Sequence, residues 1–118
     1  MKLKLFTILS SQATLSTLWN SKLGGVTAFR LMTNIKSLEK HIVTYQKTIN
    51  ALIEKNGAPK KDAPGEFEVL PERMSEHQAE VESLLEEEVD VDIIPIKPEY
   101  IEGITPQELY TIEFMIKP

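Results

Sequence analysis

The sequence predicts a mostly α-helical domain with a small β component, an α+β protein in which one long central helix packs with shorter helices and one or two short strands. Three observations predict it. The thirty residues Val26 to Lys55 contain neither Pro nor Gly and repeat apolar side chains every seven positions. Two stretches, residues 2–6 and 88–97, alternate apolar and polar side chains with the period of a half-buried strand. The other apolar clusters are short, helix-spaced and bounded by Gly, Pro, Ser or Thr. A length of 118 residues matches a single small domain, 1–118, with a modest core.

Taken in order, "KLKLF" at residues 2–6 reads as the first strand. From about Ser10 to Lys22 the pattern becomes helical, with Ala13, Leu15, Leu18 and Trp19 as its apolar positions. "LGG" at 23–25 ends that helix, because glycine readily takes the backbone angles of a helix C-cap or turn. In the long helix, Ala28, Ile35, Ile42 and Ile49 fall seven apart, as do Leu31, Leu38, Tyr45 and Leu52; these are the a and d positions of four heptads. Gly57 caps the helix and Pro59 cannot extend it. Residues 57–71 form a Pro- and Gly-rich loop with a short extended piece at Phe67 to Leu70. Ser75 then opens a second helix, closed into a capping box by Gln78 and running to about Glu87. "EVDVDIIPIK" follows as a strand with Val89, Val91 and Ile93 on one face, and Pro95 suits its edge or end. Finally, Thr105 as N-cap, Pro106 at the first helical position and Glu108 begin a helix lined by Leu109, Ile112 and Ile116, with Tyr110, Phe114 and Met115 available for further contacts.

Length has a consequence for assembly. Thirty helical residues span ~45 Å, whereas a compact chain of this size has a diameter near 35 Å, roughly. The apolar seam therefore needs cover from shorter helices, from another subunit, or from both, and a homo-oligomer is expected.

Composition narrows the functional classes. There are no cysteines, which excludes disulfides, thiol nucleophiles and cysteine-based zinc sites. The two histidines, His41 and His77, lie far apart in sequence, and no nucleophile elbow appears. Enzyme is the poorer reading, and no cofactor is implied. No apolar run approaches the ~20 residues needed to cross a bilayer. The opening "MKLKLFTIL" has lysines and a short apolar run but lacks an adequate apolar core and cleavage site, so it reads as mature protein. The net charge of −5 hides a segregation. Residues 1–62 carry ten basic groups against three acids, a net +7, and residues 63–118 carry three against fifteen, a net −12. Such halves attract each other within or between chains, or the basic half meets an anionic partner. Overall acidity and the lack of a recognisable motif argue against nucleic acid.

Two places deserve a chemical test. "LLEEEVDVDIIP" gathers five carboxylates, but Glu86, Glu87 and Glu88 point in different directions around a helix end. Asp90 and Asp92 share one strand face ~7 Å apart, and hard cations need a fuller ligand set than two carboxylates. The acids are read as a solvated face that opposes edge-to-edge pairing, with no metal site. The "LGGVTAFR" junction, by contrast, places free backbone N–H groups and a positive dipole end where phosphate or carboxylate can sit. It lacks the spaced glycines and lysine of a nucleotide-binding loop. The expected ligand site comprises Trp19, Lys22, Gly24, Gly25, Thr27, Phe29 and Arg30. Arg30 supplies a charged planar fork, Lys22 a charge across the turn, and Trp19 or Phe29 a stacking face.

In that order and at this spacing, "TAFRLMTNIKSLEKHIVTYQKTINALIEKNG", "LLEEEVDVDIIPI" and "ITPQELYTIEFMI" resemble short uncharacterised proteins encoded by tailed bacteriophages and prophages. The likeness covers residues 1–118, and it brings no assigned catalytic residues. The glycine pair at 24 and 25 departs from the Pro-containing turn of that group. The resemblance implies an accessory protein in the host bacterial cytoplasm that counters a defence, by trapping a small anionic nucleotide-type signal or by binding a host protein. The alternative it implies is a virion or tail-assembly component.

Overall fold

The computed structural model describes residues 1–118. Its element order is β1 (Lys2–Lys4), α1 (Leu5–Ser10), α2 (Gln12–Trp19), α3 (Gly25–Asn56), β2 (Gly57–Pro59), β3 (Phe67–Val69), α4 (Met74–Leu85), β4 (Glu88–Asp90) and α5 (Pro106–Thr111). The protein is mostly α with a small β component, built on the long central helix. Its two sheets are antiparallel pairs, β1 with β4 (Leu3 opposite Val89) and β2 with β3 (Ala58 opposite Glu68).

Several local expectations change for identifiable reasons. The first strand stops at Lys4 rather than at residue 6. Leu5 and Ile8 are buried on one face of α1, so helical spacing serves the core better than continued alternation. The helix expected over Ser10–Lys22 is the shorter α2, and the residues before it form a separate helix, α1, parted from α2 at Ser11. That residue is fully buried, and its hydroxyl donates to the Ile8 carbonyl at 2.6 Å. α2 ends at Trp19, and Gly25 is already the first residue of α3. Gly57 follows α3 as expected but in extended backbone (φ −132°), where it opens β2. Glycine is needed there because a Cβ would collide with the carbonyl oxygens of Glu68 and Ile53. No capping box forms at Ser75. α4 begins at Met74, continuing directly from a 3-10 turn over Pro71–Arg73. The box at Thr105 does form, with Glu108 N–H donating to the Thr105 hydroxyl and Thr105 N–H to the Glu108 carboxylate.

The strand read over residues 88–97 is regular only to Asp90. Beyond it the backbone leaves β1 and bonds to side chains of α3. Asp92 N–H donates to Ser37 Oγ at 3.0 Å, and Ile94 N–H donates to Asn34 Oδ1 at 2.7 Å. Asn34 Nδ2 donates back to the Ile94 carbonyl at 2.9 Å. The last helix is cut short at Thr111, followed by a 3-10 turn over Glu113–Met115. Ile96 N–H donates to the Met115 carbonyl and Lys117 N–H to the Ile96 carbonyl, both at 2.8 Å, so the tail pairs as an extended bridge.

The core joins Leu5, Ile8, Leu15 and Leu18 to Leu31 and Leu38 of α3 and to Val91, Ile96, Ile101, Ile112 and Met115 from the C-terminal stretch. On α3 the fully covered stripe is Thr27, Leu31, Asn34 and Leu38. The other heptad positions, Ala28, Ile35, Ile42, Tyr45, Ile49 and Leu52, are half-buried. The molecule measures 50 × 29 × 24 Å. Its radius of gyration of 17.3 Å exceeds the value of about 13 Å for a compact chain of this length. No helix is long and apolar enough to cross a membrane.

Candidate anion-binding cavity

The start of α3 opens onto a cavity of about 440 Å³. Gly24, Gly25, Thr27 and Arg30 contribute one wall, and Ile96, Lys97 and Tyr100 the other. The local sequence explains why this place is open to a ligand. No side chain caps the N-terminus of α3 and no acid lies in its first turn, so neither usual neutraliser of the free N–H groups and the dipole is present. Ala28 N–H, donating to the Gly24 carbonyl at 2.8 Å, begins the helical ladder. A Cβ at Gly24 or Gly25 would meet nothing within 4 Å, so these glycines are not forced by packing; they leave room.

Two cations border the cavity, and neither belongs to an ion pair. Arg30 is oriented by donating through Nη1 to the Pro95 carbonyl at 3.2 Å, which leaves other guanidinium donors unused. Lys97 Nζ stands 5.9 Å from the centre of the Tyr100 ring, a cation–π distance. The tail bridge at Ile96 fixes where this second wall lies.

The seven residues expected to form the site are thus divided. Gly24, Gly25, Thr27 and Arg30 are brought together. Lys22 lines an adjoining hollow that shares Gly24, Thr27 and Tyr100 with the first and adds Glu99 and Glu102. Trp19 does not reach the cavity; it lies in a groove between α2 and α3. Phe29 is 66% exposed and lines neither hollow, because it points away from the covered stripe of α3. The aromatic wall is Tyr100 instead. Lys97 and Tyr100 lie some seventy positions downstream of Thr27, so no local pattern ties them to this site. The sequence marks Lys97 only as one of three cations in the acidic half.

The remaining titratable groups serve other contacts. His41 Nε2 meets the Asp90 carbonyl at 3.1 Å, and His77 Nδ1 meets Asn56 Nδ2 at the same distance. Asp90 and Asp92 are exposed, and no group of three or more His, Cys, Asp or Glu side chains gathers where it could hold a metal ion. The Glu80 carboxyl is held below its ordinary range first by the hydrogen bond from Lys55 (3.0 Å) and then by that from Asn56. Lys4 is held above its ordinary range by its hydrogen bond and charge attraction to Glu86 at 2.7 Å. What the cavity offers chemically is charge, N–H donors and an aromatic face. Comparison with protein-family models, curated proteins and solved structures finds no match to this chain.

Proposed function

We propose that the chain is a phage-encoded, non-catalytic, homo-oligomeric binding protein that holds a small anionic ligand of nucleotide type, sequestering a defence signal in the host bacterial cytoplasm. One observation carries the reading: Arg30 and Lys97, neither ion-paired, border the same cavity as the uncapped first turn of α3. Phosphate suits that combination, since a guanidinium fork, an ammonium and backbone N–H groups all donate to it. The Tyr100 ring offers a base a stacking face. Glu99 and Glu102 in the adjoining hollow favour a ligand whose charge is confined to one end. The phage setting rests on the sequence resemblance.

Calorimetry with cyclic dinucleotides and ADP-ribose-type compounds tests this. The expected result is micromolar binding that Arg30→Ala abolishes while helix content is retained. Loss of a charged hydrogen bond of ~2–3 kcal/mol weakens affinity roughly 30- to 150-fold. If none of these ligands binds, or one binds Arg30→Ala equally well, the reading falls. A virion or tail-assembly role is then the better one. It is favoured by the exposed apolar side chains Trp19, Phe29 and Val43 on the basic half and is checked by whether the gene lies beside tail genes.

A further inference from the structure

We propose that the apolar groove between α2 and α3 is the contact face for a second copy of this chain, paired antiparallel about a two-fold axis near the midpoint of α3. This rests on the self-association proposed above and names its surface. The groove encloses about 340 Å³ and is floored by Leu15, Ile35, Leu38 and Ile42. Trp19 and Val43 stand at its rim, 57% and 47% exposed.

Position comes first. The α3 residues of the groove run from Ile35 to Val43 and centre on Glu39. The midpoint of the whole helix, Gly25–Asn56, falls between Lys40 and His41. A two-fold axis there maps the groove onto itself, which is the requirement of an isologous dimer. It also brings Glu39, the one acid of the groove, within reach of Lys40 of the other copy.

Charge then selects the antiparallel direction. Residues 43–90, which form the far half of α3, the β2–β3 hairpin, α4 and β4, carry five basic groups against twelve acids, a net −7. The rest of the chain carries eight against six, a net +2. Along α2 and the near half of α3 the contrast is sharper, for residues 12–42 carry four cations against Glu39 alone. Antiparallel pairing lays the acidic end of each copy beside the cation-rich flank of the other, twice over, whereas parallel pairing sets like against like. A stable dimer needs about 800 Å² from each partner, roughly a tenth of the 8057 Å² surface, and contact along a molecule 50 Å long can provide it.

Sedimentation equilibrium and the emission of Trp19, the only tryptophan, test the surface. The native chain should be a dimer at concentrations on the order of tens of micromolar, with Trp19 emission shifting to the blue as concentration rises. Added salt should weaken the dimer. Val43→Glu should be monomeric with unchanged helix content. Tyr110→Glu should remain dimeric, since α5 packs through Thr111 on Thr14, a residue of α2 turned away from the groove. A native monomer would overturn both this surface and self-association itself. A dimer that survives Val43→Glu, is lost in Tyr110→Glu, or leaves Trp19 emission independent of concentration would overturn this surface alone. A monomer whose groove instead takes up an acidic helical peptide would overturn both as well and assign the groove to another partner.

Discussion

Leu38 and Leu52 stand two heptads apart on the same face of α3, yet Leu38 is fully buried and Leu52 only half covered. The difference extends to everything around them. Of the 16 buried residues, 15 lie outside residues 43–90, and within that span the one buried residue is Asn56. The near half of α3 is enclosed by α1, α2 and the returning C-terminal stretch, while the far half meets α4 and the short hairpin. A heptad repeat therefore tells which face of a helix is apolar, not how much of the chain comes back to cover it. Coverage is decided by distant segments with no trace in the repeat.

The most direct way to break this comparison is to remove the same side chain from each half. Leu38→Ala should cost about 3–4 kcal/mol, as for a fully buried leucine whose site cannot collapse. Leu52→Ala should cost about 1 kcal/mol, in keeping with partial burial. Urea unfolding of the two variants measures both. Equal losses would mean that the far half is covered as well as the near half, as the proposed second copy would cover it.

Each half is also fastened by one buried asparagine, and the two fastenings differ in kind. Asn34 satisfies both backbone groups of Ile94. Asn56 bonds side chains, donating to Glu80 at 3.3 Å, contacting His77 at 3.1 Å and accepting from Arg73 at 3.5 Å. Asn34→Ala strands an N–H and a carbonyl in the interior and should cost about 2–3 kcal/mol. Partners of Asn56 reach solvent and can turn to water, so Asn56→Ala should cost about 1 kcal/mol. Amide hydrogen exchange at Ile94 distinguishes the cases: Asn34→Ala should accelerate it and Asn56→Ala should not.

These particulars show what was legible. Local signals suffice where a residue acts on its neighbours, as in the Thr105–Pro106–Glu108 box and the uninterrupted run that becomes α3. They fail where a distant segment decides. Ser75 has capping chemistry, but the 3-10 turn before it supplies the helix start, and Asp92 belongs to an alternating run whose N–H bonds Ser37 instead of a strand. The candidate cavity divides the same way. Its α3 wall could be read from one short stretch, but its Lys97–Tyr100 wall depends on the tail bridge between Ile96 and Ile116. Trp19 and Phe29, close to Arg30 in sequence, face elsewhere because α2 ends early and α3 turns Phe29 outward.

The smallest expected effect sharpens the comparison through pH. One ion pair that shifts a titration lies within the far half and one bridges the two halves: Lys55 with Glu80 ties the far end of α3 to α4, and Lys4 with Glu86 ties β1 to the end of α4. Glu80 titrates below its ordinary value in the folded chain, so the pair stabilises above the ordinary carboxylate range and that contribution is lost as pH falls through the lowered value. Lys4 titrates above its ordinary value, so its contribution is present below pH 10.5 and is lost as pH rises further. Both pairs are solvent-exposed, which keeps the effects small. Glu80→Gln should therefore lower the melting temperature slightly at pH 7, with the gap to the native protein closing below about pH 4. Lys4→Gln should show a gap that is unchanged in acid down to the carboxylate range and closes only in strong alkali. Thermal melts of both variants across pH measure the two edges. If the Glu80→Gln gap persists undiminished at pH 3, the carboxylate holds the far end through its shape and its bond to Asn56, not through its charge.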